Sequence, residues 1–300
     1  MQRPRPTPDL QFVFRPESDA AYRHFEGHET VPFDAAATTA TRAHAWWLAE
    51  AALLAYWDPA VAVARFAAAG LTAELIENGD TQVYVAASTD AVIVAFRGTE
   101  SDRFGDLFDD LGFALAPWPD GKVHAGFLQA LERVWTPLVT RLNALAATRS
   151  VWFCGHSLGA TLATLAADRF PQTAGACTIG SPRVGNRVFA AAFDARFEDR
   201  VLRYVNDTDI VTHVPPPLLL LPYAHVGRLR QITPNGRITD QAPALAHFVR
   251  DVFGDVGHLQ DVVTALQAGT MHRAPDFLLD HMPRGYTVDI WNDLDAHGPT

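Results

Sequence analysis

Three near-continuous apolar runs, at 151–154, 175–179 and 201–205, follow one another with helix-like segments between them at 158–169 and 186–196. A strand with one face in water alternates apolar and polar residues, whereas one apolar along its length is covered on both faces. Strands of that kind separated by helices are parallel, joined by crossovers that lay the helices on the two sides of a sheet. This pattern predicts an α/β chain with a mostly parallel central sheet and helices on both faces. Upstream, Ala- and Leu-rich residues 40–57 read as a helix, and a second helix over about 59–69 stops at Gly70. Residues 81–88 and 91–96 read as a strand pair around Thr89-Asp90. The segment 126–147 places Phe127, Leu131, Val134, Trp135, Leu138 and Leu142 on one helical face. Downstream, a strand is expected at 228–233 and a helical region at 245–267, and the terminal helix carries "YTVDIWNDL". We expect one domain over 1–300, with a 1–35 N-terminal extension and an extra helical segment at 243–275.

Charge and composition remove several classes of function. A formal net charge of -10 gives no basic stripe with which to hold nucleic acid. No run is long enough to span a bilayer, so stable membrane insertion is not expected. No secretory signal is visible at the start, which predicts a cytoplasmic location and leaves other routes of secretion open. Cys154 and Cys177, the two cysteines, lie inside apolar strand-like runs and read as buried, reduced thiols. The histidines form no metal-binding motif and the Gly-rich loops of nucleotide sites are missing, so neither a metal nor a cofactor is expected.

The first of the three apolar runs leads straight into Gly155-His156-Ser157-Leu158-Gly159 and then into a small-residue helix. A serine flanked in this way stands proud of a tight strand-to-helix turn, the setting of an activated nucleophile. Such a serine needs a base to take its proton and an acid to orient the base, which follow it in chain order as acid and then histidine. Asp207 and Asp209 both lie just after the run at 201–205. We assign Asp209, because Ile210-Val211 behind it can seal it from water, and read Asp207 as a turn residue. For the base we assign His281, in the last loop before the terminal helix, with His225 in "PYAHVGRL" as its rival. An oxyanion formed at the site requires backbone or side-chain donors. Leu158, directly after the serine, supplies one, and Thr99 in "AVIVAFRGTESD" supplies the other, with Gly98 letting the chain turn close by.

Taken in order, "VAFRGT", "VHAGF", "CGHSLGA", "TIGSPRVGN", "NDTDIV", "YAHVG" and Asp280-His281 followed by Tyr286 resemble the class 3 lipase family, the group of the filamentous-fungal triacylglycerol lipases. The resemblance implies an α/β-hydrolase fold, with Ser157 as nucleophile, Asp209 as acid, His281 as base, and Thr99 and Leu158 as oxyanion donors. It also implies structural roles for His124 and Ser181. Residues Phe104, Leu107, Phe108 and Leu111 fall at i, i+3, i+4 and i+7. That spacing suits a short helix packed on the core, or, as the family resemblance favours, a lid over 101–117 that turns its apolar face to lipid. The expected activity is hydrolysis of acylglycerols or related lipid esters through an acyl-enzyme. The expected partner is a lipid or small-molecule ester, met in some cases at an oil–water interface. A phospholipase A1 or aryl (feruloyl-type) esterase shares the same residues, and a catalytically idle lipid- or partner-binding relative is the reading from another class.

Overall fold

A computed structural model describes residues 1–7, 9, 12–13, 15–18, 21–98, 113–215, 222–241 and 276–300. Helix α1 (Arg42–Leu54) is capped by Thr41, whose hydroxyl accepts from the His44 amide. Helix α2 (Pro59–Ala68) starts on Asp58 with proline in its first turn, and Gly70 beyond its end takes φ 81°. Strands β1 (Thr72–Asn78), β2 (Thr81–Ala87) and β3 (Ala91–Phe96) then form an antiparallel meander.

After β4 (Leu115–Pro117) and β5 (Lys122–His124) comes the long helix α3 (Ala125–Leu145), which buries the six apolar residues expected on its inner face. Strand β6 (Ser150–His156) leads into α4 (Leu158–Arg169), and β7 (Thr173–Ile179) into β8 (Gly185–Asn186) and α5 (Arg187–Phe197). The described chain continues through β9 (Val201–Asn206), β10 (Tyr223–Ala224), β11 (Arg228–Ile232) and β12 (Ile238–Thr239). It ends in α6 (Asp276–Leu279) and α7 (Pro283–His297).

Eight strands join one sheet in the order β1-β2-β3-β6-β7-β9-β11-β12. The pairs from β3 through β11 are parallel, and the antiparallel partners lie at the two edges. Successive residues of β6 face opposite ways, as a pleated strand requires. Trp152 and Cys154 join a core with α1, α2 and α7, and Val151 and Phe153 join one with α3, α4 and α5. The sheet is therefore covered on both faces, which accounts for the near-continuous apolar character of its central strands.

Short strands β10, β8, β5 and β4 form a second, antiparallel sheet at the side. Cys154 and Cys177 are register neighbours on β6 and β7, both buried and unbridged. Among the described residues, no helix is long and apolar enough to cross a membrane. The helical region expected at 245–267 lies outside the described residues.

Candidate active site

Ser157 is the single residue between the end of β6 and the start of α4. It sits at φ 58° and ψ −129°, a left-handed conformation that strains a residue carrying a Cβ. Its amide bonds the Ile179 carbonyl at 3.1 Å, so the corner is pinned to the end of the neighbouring strand. The flanking glycines are required by contact and not by their own dihedrals. A Cβ on Gly155 would stand 2.3 Å from the Gly159 carbonyl, and one on Gly159 would stand 2.3 Å from the Phe96 carbonyl. Helix α4 thus lies against β6 and β3 backbone to backbone, leaving the serine nowhere to point but out of the turn. The Ser157 hydroxyl is buried and makes no hydrogen bond in this state. The Leu158 amide beside it opens α4, at the end of the helix where the dipole favours negative charge.

Asp209 follows the end of β9 and is fully buried. Three donors converge on its carboxylate. The Val211 amide reaches Oδ1 at 2.9 Å, the Tyr286 hydroxyl reaches Oδ2 at 2.5 Å, and His281 Nδ1 lies 3.0 Å from Oδ1 and 2.8 Å from Oδ2. A carboxylate at that distance only accepts, so the imidazole carries its proton on Nδ1 and presents Nε2 as a lone pair. Asp207, the other candidate, occupies the turn at φ 35° and bonds the Ile232 carbonyl through its amide. Burial, and then the charges of Arg203, Arg183 and His213, hold the pKa of His225 well below the usual histidine value. Of the sequence candidates, the structure brings together Asp209 and His281. Thr99, Phe104, Leu107, Phe108 and Leu111 lie outside the described residues.

Sequence reasoning gave no role to three residues here. Tyr286, on the first turn of α7, donates to Asp209 and accepts from the Asn206 amide at 2.9 Å, tying the acid loop to the terminal helix. Gly180, at φ 59°, backs directly onto the His–Asp pair, for a Cβ there would stand 2.9 Å from His281 Cε1 and 3.0 Å from Asp209 Oδ2. Its place just past an apolar strand was the available signal. Asp280 accepts from the Thr208 amide at 3.1 Å and from the Thr208 hydroxyl at 2.8 Å. Outside the centre, His124 caps α3 by accepting from the Gly126 amide at 3.1 Å, and buried Ser181 bonds the Pro182 carbonyl. Among the described residues, no three His, Cys, Asp or Glu side chains converge to hold a metal.

Asp280 also sets a pH dependence. Burial pushes its carboxyl up to about 7; the Thr208 donors pull the other way, and the charges of Asp207 and Asp209 add to the rise. Below pH ~4 the group is protonated both folded and unfolded, so it costs nothing. As pH rises towards 7 the unfolded chain ionises first, and stability falls. Asp280→Asn keeps an acceptor for Thr208 and cannot ionise. We expect it to exceed the wild type in stability by about 1–3 kcal/mol at pH 8, with the gain vanishing near pH 4. Denaturant melts across that range measure it, and a gain independent of pH would refute this origin.

The description of the class 3 lipases, "Lipase (class 3)", matches residues 93–219. A lipase of Rhizopus niveus is 36% identical over 156 residues, covering 46% of this chain and 38% of its own length. Phospholipase A1-II 3 of Oryza sativa subsp. japonica is 31% identical over 181 residues, covering 44% of this chain and 43% of its own length. The chain thus spans about two fifths of the curated relatives it matches. Among solved structures, the Rhizomucor miehei lipase–propeptide complex superposes with a TM-score of 0.53 at 26% identity, over 64% of this chain and 68% of that one. The order of the central strands, the strained serine after β6 and the matched span agree with this likeness in an α/β-hydrolase fold. Over residues 93–219 the chain is similar to the class 3 lipase family.

Proposed function

We propose that the protein is a serine carboxylic ester hydrolase that cleaves acylglycerols or related lipid esters through an acyl-enzyme. The observation that carries this reading is the buried pairing of His281 Nδ1 with Asp209, on loops that follow the elbow serine in chain order. In this reading the Ser157 hydroxyl attacks the acyl carbonyl while His281 Nε2 takes its proton. Asp209 holds the ring in the tautomer that leaves Nε2 able to accept, and stabilises the imidazolium that forms. The tetrahedral oxyanion is met by the Leu158 amide and by Thr99. As the intermediate collapses, the ester C–O bond breaks and the imidazolium returns its proton to the leaving alcohol. Water, activated by the same imidazole, then releases the fatty acid and restores the serine.

The relatives support a lipid ester as substrate, and the likeness to phospholipase A1-II 3 of rice supports phospholipid as the second reading. Both act on carboxylic esters of glycerol, so the centre is common to them and the pocket decides. The test compares p-nitrophenyl esters from acetate to palmitate, emulsified triacylglycerol and phosphatidylcholine vesicles. Release of fatty acid from triacylglycerol in preference to phosphatidylcholine is expected. The reverse preference would move the assignment to phospholipase A1, turnover confined to aryl esters would move it to an aryl esterase, and inactivity on all substrates would overturn it.

A further inference from the structure

Tyr56 belongs to none of the motifs that point to the site, yet its hydroxyl lies beneath it. It sits just beyond the end of α1, buried, with Oη 2.8 Å from His156 Nδ1. His156, next to the elbow serine, has its other nitrogen, Nε2, 2.8 Å from the His281 carbonyl oxygen. A carbonyl only accepts, so Nε2 carries the proton. Burial, reinforced by the neighbouring His281, holds His156 well below the usual histidine value, so the ring is neutral and Nδ1 is a lone pair. Tyr56 must then donate to it, and burial pushes the phenol up, which keeps that proton in place.

The phenol oxygen also packs against the Gly98 backbone. The approach is close enough that a Cβ on Gly98 would stand 2.0 Å from Tyr56 Oη and 2.7 Å from the His156 carbonyl. Both hydrogen bonds of this chain have one allowed direction: Tyr56 O–H to His156, and His156 Nε2–H to the His281 carbonyl. It joins the end of α1, the elbow and the loop of the base, successive members lying 100 and 125 residues apart, and it packs on the segment leaving β3.

We propose that Tyr56 is a positioning residue for the ester-hydrolase reaction, its hydroxyl holding the elbow and the base loop in register through His156. The inference rests on the function proposed above. Removal of the hydroxyl leaves His156 Nδ1 a buried acceptor without a donor. The ring can then take its other tautomer, in which Nε2 no longer donates to the His281 carbonyl. The base then loses its anchor. The loss therefore falls on the chemical step and not on substrate binding.

Tyr56→Phe, His156→Gln and the double variant, assayed on p-nitrophenyl butyrate well below their melting temperatures, provide the test. Tyr56→Phe is expected to lower kcat about tenfold with KM within about twofold. The double variant should be no slower than His156→Gln alone within about twofold, because one chain can be cut only once. A Tyr56→Phe kcat within about twofold of wild type, a raised KM at unchanged kcat, or multiplicative losses in the double variant would each overturn the proposal. If His156→Gln fails to fold, the kcat and KM of Tyr56→Phe decide alone. A wild type without ester turnover would overturn the underlying function first, and this role with it.

Discussion

Ser157→Ala is expected to lower ester turnover about a million-fold, close to 8 kcal/mol in the transition state, because nucleophile, base and acid act as a unit. The same change should leave the fold intact. Alanine keeps the Cβ, so the strain of φ 58° is neither added nor relieved. What leaves is a buried hydroxyl that makes no hydrogen bond, and its removal is neutral or stabilises by up to about 1 kcal/mol. Titration of released acid measures the first effect and a thermal melt the second. A variant that keeps a tenth of wild-type turnover would take the nucleophile away from Ser157, and one that unfolds would make the lost activity uninformative. The combination of near-total loss of rate with an unchanged or higher melting temperature separates a reacting group from a packing one.

The parts of the molecule that could be read from sequence are those whose physics is local. A strand covered on both faces must be near-continuously apolar, so β6, β7 and β9 announced themselves. The corner after β6 did so too, since backbone contact at Gly155 and Gly159 excludes any side chain. Strand β1 passed unnoticed because it lies at a sheet edge and carries Glu74 and Glu77. Its pairing with β2 is a tertiary fact that leaves no apolar run. The side sheet was invisible for another reason, since two- and three-residue strands are too short to show a period. At the site, the seal of Ile210 and Val211 over Asp209 could be argued from adjacent residues, and both are buried there. The roles of Tyr286, Gly180 and Tyr56 depend on partners far along the chain, which no local pattern records.

The second large effect concerns the base. His281→Ala is expected to cost turnover about as much as Ser157→Ala, on the order of a million-fold, whereas His225→Ala should cost less than about tenfold. The contrast follows from what each ring faces. The Nδ1 of His281 lies on the Asp209 carboxylate, which selects the accepting tautomer at Nε2. At His225 the charges of Arg203 and Arg183 oppose any proton taken from a nucleophile. A ring in that place resists the protonation that general base catalysis demands at every turnover. Loss of His281 also withdraws one of three donors from a buried carboxylate, leaving Asp209 to Tyr286 and the Val211 amide. We therefore expect His281→Ala to destabilise the fold by about 1–3 kcal/mol, which a denaturant melt resolves from the kinetic loss. Alanine leaves room for an imidazole-sized molecule, so millimolar free imidazole should restore part of the rate to His281→Ala and none to Ser157→Ala. A purely structural histidine would show no such rescue. If His225→Ala proved the more damaging of the two, the proton would be leaving the serine by another path. The Asp209–His281 pair would then be a packing feature of the loop before α7.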